Sequence, residues 1–323
     1  MTCETSAHLL ALDWGTSSVR AFLMQDARIV DSRKSDHGIQ RLPAPGVPGF
    51  EQAFAAIAGD WIRRWPRLAV VAGGMVGSAQ GWREAPYVRC PADIRVLAQH
   101  HVRVPSGLGT EIVIAPGVLY DQPGLLPDVM RGEEIQIAGA LSDKPSWAAR
   151  CCMVLPGTHS KWVQVEEGRI LRFATYMTGE LFAVLCQHSI LGRLLPPDTS
   201  ARREPDREAF ELGLTEAKHG RAGDLTHQLF ATRTLGLTAR LPPSALADYL
   251  SGLLIGSELV SGLAGAHERA PTPLVMIGEP ALCKRYADAL CYLGQPVAAV
   301  LGNTAAAGLW HFAVAMGVLP PNH

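Results

Sequence analysis

The stretch LLALDWGTSSVRAFLM, residues 9–24, decides how the rest of the chain is interpreted. An apolar run ends at Asp13, turns through glycine and hydroxyl residues at 15–18, and resumes as a second, alternating strand. A carboxylate at the end of a buried strand has two interpretations. Asp13 either caps the turn by accepting from the N–H of Gly15 or Thr16, or it holds Mg²⁺ in a phosphate site.

A second hairpin of the same kind occurs later in the chain. Gly157-Thr158-His159-Ser160 repeats Gly15-Thr16-Ser17-Ser18 at an offset of 142 residues, and Leu155 stands at the position equivalent to Asp13. Each hairpin is part of the same series of elements, three strands followed by a helix. This repetition indicates an internal duplication. Either turn alone is typical of an ordinary β-turn, whereas the pair offers unhindered N–H groups and hydroxyls to a polyphosphate.

The periodicity along the chain predicts an α/β protein. In the first half, strands are expected at 8–13, 18–25, 28–35 and 67–75, and helices at 48–65 and 131–142. Residues 76–110 are expected to form loops with short pieces. After the strands that begin at Cys151, the second half is expected to contain helices at 206–219, 223–235, 243–264, 280–293 and 303–317, with a strand at 273–279.

The most apolar long window, residues 245–266, is interpreted as a buried helix and not as a membrane span. Asp248 and Glu258 interrupt it, while Gly252 and Gly256 lie four residues apart, as in a helix that packs closely against another element. The N-terminus lacks the basic and apolar regions of a signal peptide.

Composition excludes several classes of protein. With 323 residues, 48% apolar and 18% charged residues and a net charge of −1, the chain fits two soluble domains and disfavours nucleic-acid or membrane partners. Seven cysteines without a C-x-x-C pair argue against a disulfide scaffold or a zinc site and suit the cytoplasm. A homodimer is compatible with the sequence.

The common nucleotide and hydrolase motifs are absent from the sequence. There is no P-loop, no G-x-G-x-x-G between a strand and a helix, no H-E-x-x-H and no G-x-S-x-G. The GEP segment at 278–280 has two interpretations: its glycine lets a flat ring approach the backbone, or it forms a plain turn from strand to helix.

Six blocks carry a resemblance to a known family. ALDWGTSSVRAFL, GMVGSAQGWREAPYVRCPADI, DVMRGEEIQIAGAL, LPGTHSKWV, MTGELFAVLCQHSILGRLL and IGEPALCKRYADAL occur in this order, and the chain resembles the 2-dehydro-3-deoxygalactonokinase family from about residue 8 to 316. The resemblance implies two RNase H-like (actin-like ATPase) domains, each with a mixed β-sheet, around an interdomain cleft. We expect these domains at 1–142 and 143–323.

The same resemblance implies an activity, transfer of the ATP γ-phosphoryl group to the C6 hydroxyl of 2-dehydro-3-deoxy-D-galactonate in galactonate breakdown. Asp13 would organise Mg²⁺, because Leu155 replaces the acidic residue that the second hairpin of the superfamily often carries. The expected phosphate contacts are Gly15, Thr16, Ser17, Gly157, Thr158, His159 and Lys161, and the adenosine contacts are Gly278 and Glu279.

The resemblance also implies where the general base lies, since related bacterial sugar kinases carry it at the start of the first connecting helix. Glu133 and Glu134, at the start of the predicted helix 131–142, are the candidates, with Asp128 nearby, although the charges of the two glutamates also suit a helix N-terminus. The expected sugar contacts follow a strand end, where open α/β sheets bind ligands, and are Gly74, Met75, Ser78, Trp82 and Arg83. Two alternatives stay open: a kinase for another sugar or sugar acid, and a non-catalytic sensor on the same fold.

Overall fold

The computed structural model describes residues 9–196, 205–221, 223–266 and 272–319. The chain divides into two compact units. The first comprises Met1–Arg150, Gln164–Phe173 and Asn303–His323, and the second comprises Cys151–Val163 and Ala174–Gly302. The predicted boundary after residue 142 falls close to the end of the first unit's long segment. Residues 303–323, which the prediction assigned to the second domain, belong to the first unit.

The first unit is built on a six-stranded mixed sheet and a small three-stranded sheet. Its strands are β1 (Leu9–Trp14), β2 (Val19–Gln25), β3 (Arg28–Ser35), β4 (Ala69–Gly73), β5 (Tyr87–Arg89), β6 (Val102–Pro105), β7 (Glu111–Ile114), β8 (Gly117–Tyr120) and β9 (Asp128–Met130). The large sheet has the order β3-β2-β1-β4-β7-β6, and β5, β8 and β9 form the small one. The segment 76–110, predicted to consist of loops and short pieces, contains the short strands β5 and β6 and a short helix at Ile94–Gln99.

Parallel pairing in the large sheet determines where the candidate site lies. β1 runs antiparallel to β2 but parallel to β4, with Asp13 opposite Gly73 in the register. The carboxyl ends of β1 and β4 are therefore neighbours at one edge of the sheet, which is where ligands bind in open α/β sheets.

Among the described residues, the first unit has four α-helices. These are α1 (Val47–Arg64), α2 (Ile94–Gln99), α3 (Glu133–Asp143) and, last in chain order, α9 (Ala305–Ala315). Glycines let α3 and α9 pack at backbone distance. A Cβ on Gly139 would lie 2.1 Å from the Thr304 carbonyl oxygen, and one on Gly308 would lie 1.9 Å from that of Ile135. This contact explains why the C-terminal helix joins the first unit.

A five-stranded sheet repeats the strand order of the large sheet. Its strands are β10 (Arg150–Leu155), β11 (Ser160–Glu166), β12 (Arg169–Tyr176), β13 (Leu274–Ile277) and β14 (Ala299–Leu301). Arg150, the end of β11 and most of β12 are counted with the first unit, and the other residues of this sheet belong to the second. The strands are arranged β12-β11-β10-β13-β14, with β10 parallel to β13 and β13 parallel to β14. In both sheets the third, second and first strands of the series lie side by side and are followed by a later strand, which confirms the predicted repetition.

The helices of the second unit are α4 (Thr178–His188), α5 (Arg207–His219), α6 (Leu225–Leu237), α7 (Leu246–Ala266) and α8 (Pro280–Tyr292). The predicted close packing of α7 is confirmed: a Cβ on Gly252 would lie 2.1 Å from the Phe210 carbonyl oxygen, and one on Gly256 would lie 2.7 Å from the Ala217 Cβ. Within the described residues, one helical stretch, Pro243–Ala266, is long and apolar enough to cross a membrane, but most of it is buried in the protein.

Candidate active site

The first hairpin is a tight turn with a buried anchor. The Gly15 N–H donates to the Ser18 carbonyl at 2.9 Å, and the Trp14 indole N–H donates to the His37 carbonyl at 2.9 Å. The turn packs closely on Gly38, where a Cβ would lie 2.4 Å from the Thr16 carbonyl oxygen. Thr16 and Ser17 remain exposed at the tip. The base of the hairpin is therefore held by the protein, while its tip is exposed to solvent.

Asp13 lies at the end of β1 and is not a cap on this turn. Its Oδ2 accepts a hydrogen bond from Asn303 Nδ2 at 2.8 Å and lies 3.9 Å from the Arg20 guanidinium. Burial raises the pKa of Asp13, whereas the Asn303 hydrogen bond and the Arg20 charge oppose that rise. The side chain keeps 22% of its surface exposed, enough for one face to meet a ligand.

Two glycines bring other predicted site segments next to Asp13. Gly74, directly after β4, has φ +93°, and a Cβ there would lie 2.8 Å from the Trp14 carbonyl oxygen. Gly132, directly before α3, has φ +108°, and a Cβ there would lie 3.2 Å from the Gly74 Cα. Only glycine satisfies both the backbone angle and the close approach. The end of β1, the end of β4 and the start of α3 thus meet at one place in the first unit.

The two glutamates at the start of α3 occupy different environments. Glu134 is buried, and both its carboxyl oxygens lie within 2.9 Å of the Gly132 amide nitrogen. Burial, followed by repulsion from Glu133, raises the pKa of Glu134 to about 8. Glu133 is half-buried, and its Oε2 accepts from the Arg131 N–H at 3.0 Å. Glu134 is protonated at neutral pH in this structure and is poorly suited to accept a proton.

The segment after β4 contains one predicted sugar contact that needs correction. Trp82 is a core residue: its ring stacks on Phe50 with centroids 5.6 Å apart and meets the edge of Trp14. The indole fills the space between the sheet and α1, so it does not offer a face to a ligand. Its place after a strand end suggested a sugar contact, but a large aromatic side chain at that position is equally suited to the core.

The remaining acceptor-side predictions differ in exposure. Gly74 and Ser78 are buried and Met75 is half-buried, whereas Arg83 is exposed and donates to the Arg103 carbonyl at 3.2 Å. Arg83 therefore lies on the surface of the protein, as does Arg89, which pairs with Asp121 at 2.6 Å.

A buried arginine that sequence reasoning missed lies beside this segment. Arg131 stacks over the Tyr87 ring at 4.3 Å and donates from Nη2 to the Ala85 carbonyl at 2.8 Å. Within the described residues its Nε and Nη1 have no hydrogen-bond partner, and neither has the Ser78 hydroxyl. A Cβ on Gly77 would lie 3.1 Å from Nη1. A buried cation with unused donors is costly unless an anion or water satisfies it.

The second hairpin is braced by the start of α4. The Thr158 carbonyl accepts from the Glu180 N–H at 3.0 Å, and a Cβ on Gly179 would lie 2.5 Å from the Gly157 carbonyl oxygen. His159 hydrogen-bonds Glu180 through its ring nitrogen. The Lys161 ammonium is nearly buried and donates to the His159 carbonyl at 3.2 Å. These contacts could not be predicted from local sequence, because residues 157 and 180 lie far apart in the chain.

A cavity of about 600 Å³ opens beside this hairpin within the second unit. Gly157 and Thr158 form one end of it. The rest of its wall includes Asp248, Ser251, Leu254, Glu279, Arg285 and Tyr286. The Glu279 carboxylate accepts from the Leu282 N–H at 2.8 Å and so caps α8. The Gly278 N–H donates to the Leu301 carbonyl at 3.1 Å. The volume is of the size that small-molecule ligands occupy.

No cluster of three or more metal-binding side chains occurs among the described residues. The carboxylate at the end of β1 is that of Asp13. This donor set fits Mg²⁺, which keeps several waters and binds through one or two carboxylates together with substrate phosphates.

The repeated strand order and the glycine hairpins define the class of protein, the actin-like ATPase fold of sugar kinases. Component A of (R)-2-hydroxyglutaryl-CoA dehydratase from Acidaminococcus fermentans has the same fold, with a TM-score of 0.51, 15% identity and coverage of 96% of this chain and 99% of that one. At that identity the likeness establishes the fold alone.

The chain belongs to the 2-keto-3-deoxy-galactonokinase family, whose model matches residues 13–312. A 2-dehydro-3-deoxygalactonokinase of Escherichia coli (strain K12) is 36% identical over 301 residues, which cover 93% of this chain and 95% of the relative. The crystal structure of a Sinorhizobium meliloti protein assigned to the same enzyme class superposes with a TM-score of 0.82 at 29% identity, covering 97% and 100% of the two chains. Membership of this family makes the protein an ATP-using kinase of a sugar acid.

Proposed function

We propose that this protein transfers the γ-phosphoryl group of ATP to the C6 hydroxyl of 2-dehydro-3-deoxy-D-galactonate. The observation that carries the proposal is the placement of Asp13 at the end of β1, beside a glycine hairpin, in a chain whose family match begins at that residue. Phosphoryl transfer depends mainly on positioning and on neutralising charge, and these groups are suited to both.

Each hairpin by itself is suited to bind phosphate. In the first unit the backbone N–H groups of Thr16 and Ser17 donate to phosphate oxygens, next to Gly15, whose N–H is already taken by the Ser18 carbonyl. In the second unit the Thr158 N–H donates in the same way, and Lys161 or His159 adds positive charge. Asp13 holds Mg²⁺, which neutralises charge on the phosphates when it is bound. The raised pKa of Asp13 is consistent with a carboxylate that lacks a strong cationic partner until the metal arrives.

The nucleoside occupies the cavity beside the second hairpin. That cavity is continuous with Gly157 and Thr158 at one end and is bounded by Glu279 at the start of α8. Gly278 lies directly before this residue, and we predict that the base lies close to its backbone.

Glu133 is the general base. It is the less buried of the two glutamates, and its carboxylate is oriented by the Arg131 N–H. Its oxygen takes the proton of the C6 hydroxyl as the C6 oxygen forms a bond to the γ-phosphorus, and the bond from that phosphorus to the β,γ-bridging oxygen breaks to release ADP. Glu134, held neutral by burial, keeps the backbone at Gly132 in place.

Arg131 neutralises the carboxylate of the acceptor. A sugar acid needs a cationic or N–H-rich pocket, and Arg131 is a buried guanidinium with unused Nε and Nη1 donors beside the segment 74–78. Exposed Arg83 and Arg89, by contrast, already contact other protein groups. The Ser78 hydroxyl adds a neutral hydrogen-bond donor.

The direct test is ADP release from the purified protein with Mg²⁺, ATP and a panel of sugar acids. We expect turnover with 2-dehydro-3-deoxy-D-galactonate, a higher KM for its gluconate epimer, and little ADP release with neutral sugars. Turnover restricted to neutral sugars would instead favour a kinase with another acceptor. The enzyme is expected to act in the cytoplasm, where ATP is available.

A further inference from the structure

A buried polar network lies beneath the second hairpin. Glu258, on α7, accepts hydrogen bonds from the Trp162 indole at 2.9 Å and from the Tyr286 hydroxyl at 2.7 Å. The Tyr286 oxygen lies 3.0 Å from the Ser160 hydroxyl oxygen, and the Gly157 N–H donates to that serine oxygen at 3.4 Å. Glu258, Ser160 and Tyr286 are all at most 2% exposed.

Three polar contacts connect the hairpin to Glu258. Tyr286 has one hydroxyl hydrogen and gives it to Glu258. The Ser160 hydroxyl lies 3.0 Å from the Tyr286 oxygen, and its hydrogen is available to Tyr286 or to Glu258. The serine oxygen accepts from the Gly157 N–H. The hairpin is thus connected through Ser160 and Tyr286 to the carboxylate of Glu258.

We propose that Glu258 is a positioning residue, which holds the second phosphate hairpin through Tyr286 and Ser160 in the conformation that receives ATP. The inference rests on the proposed function, because it assigns this hairpin to the nucleotide. Glu258 is 2% exposed, and its carboxylate holds the Trp162 indole and the Tyr286 hydroxyl. It is connected to Gly157 through Tyr286 and Ser160, and its carboxylate also hydrogen-bonds Ser160 and Thr178.

A positioning role differs measurably from a contribution to folding alone. Loss of one hydrogen bond in the chain would leave Gly157 less constrained, so ATP would have to order the hairpin when it binds. Nucleotide affinity would fall, while the affinity for the acceptor would be unchanged. A purely structural role would lower the melting temperature without this selectivity.

The test compares two tyrosine–serine pairs in the same unit. Tyr286 and Ser160 form the chain to the hairpin, while Tyr176 and Ser261, also 3.0 Å apart, connect β12 to α7 away from it. Tyr286→Phe and Ser160→Ala are each expected to weaken ATP binding, measured by calorimetry without acceptor, by about 3- to 10-fold. Tyr176→Phe and Ser261→Ala are expected to stay within about twofold of wild type.

The double variant tests whether the two hydroxyls act as one chain. Because both substitutions interrupt the same connection, Ser160→Ala combined with Tyr286→Phe is expected to bind ATP no more weakly than the weaker single variant. Ser160→Ala carries the test, because Ser160 does not line the cavity assigned to the nucleoside, whereas Tyr286 does.

Wild-type affinity in both chain variants, or an equal loss in the Tyr176 and Ser261 variants, would overturn the inference. Wild-type turnover of the sugar acid is measured separately. Its absence alongside normal ATP binding would count against the proposed function and leave the hairpin result interpretable.

Discussion

Asn303 donates its side-chain amide to Asp13 Oδ2 at 2.8 Å across 290 residues of sequence. The same side chain accepts from the Ala305 N–H at 2.7 Å, so it also fixes the first turn of α9. A helix that packs against α3 thus reaches the carboxylate at the end of β1. The Asn303 hydrogen bond restricts rotation of the Asp13 carboxylate and leaves its negative charge in place. A carboxylate that binds a metal needs both an orienting hydrogen bond and its charge.

Asp13→Asn is expected to preserve the fold and to reduce phosphoryl transfer by at least about a hundredfold, because the amide does not organise Mg²⁺. The two side chains have the same shape, so the melting temperature should change little. Steady-state kinetics over a range of Mg²⁺ concentrations measures the effect. A variant with near-normal turnover at low Mg²⁺ would remove Asp13 from the mechanism.

Glu133→Gln and Glu134→Gln are expected to affect catalysis differently and so to show which of the two acidic residues of α3 is the general base. Loss of a general base lowers kcat by about 10²- to 10⁴-fold, and we expect this for Glu133→Gln with KM for ATP unchanged. Glu134→Gln should keep most of kcat, since that carboxyl is already protonated. If the two results were reversed, the base would be Glu134 and its burial would have to be relieved when substrate binds.

The raised pKa of Glu134 predicts how stability depends on pH. Between its ordinary value of 4.5 and about 8, the unfolded chain ionises this carboxyl while the folded protein keeps it protonated. Unfolding then releases a proton, so this residue lowers the unfolding free energy as pH rises, by up to about 1.4 kcal/mol per pH unit. Urea titrations at several pH values should show a flatter dependence for Glu134→Gln. An equal slope in both proteins would mean that Glu134 is ionised in the fold.

Arg131→Lys is expected to raise KM for the sugar acid by about 10- to 100-fold while leaving KM for ATP unchanged, because the planar donor pair is lost. Arg33→Lys is the matched control, since Arg33 also stacks on an aromatic ring, Trp61, and donates to a backbone carbonyl. Assays with the acid and with its neutral carboxamide make the comparison sharper. An equal loss for both acceptors would show that Arg131 supports the fold and does not bind the carboxylate.

Ser251→Trp is expected to fill the cavity beside the second hairpin and to weaken ATP binding by at least about tenfold. Ala138→Trp, which enters a different cavity in the first unit, is the control for inserting an indole. Calorimetry with ATP measures both variants. Unchanged affinity in Ser251→Trp would place the nucleoside elsewhere.

Local sequence pattern predicted much of this fold. The turn after Asp13, the repeat at 157–160 and the glycine spacing of α7 each depend on residues close together in the chain, and the structure contains all three. The partners of the site residues depend on distant contacts that no local pattern encodes. Asn303 and Arg131 were missed for this reason.

For two residues the sequence pattern did not indicate the role that the structure shows. Trp82 follows a strand end, as a sugar contact would, but it packs in the core against Phe50. Glu258 was recognised only as an interruption of an apolar helix. Its significance comes from Trp162 and Tyr286, which belong to different elements of the second unit.

The most direct test of the central claim is identification of the product. The protein is incubated with Mg²⁺, ATP and 2-dehydro-3-deoxy-D-galactonate, and the product is examined by phosphorus–proton correlation NMR. The account predicts one ADP released per sugar acid consumed and a new phosphorus signal coupled to the two protons on C6. A phosphorus signal coupled to another position, or no sugar phosphate under conditions in which ATP binds, would contradict it.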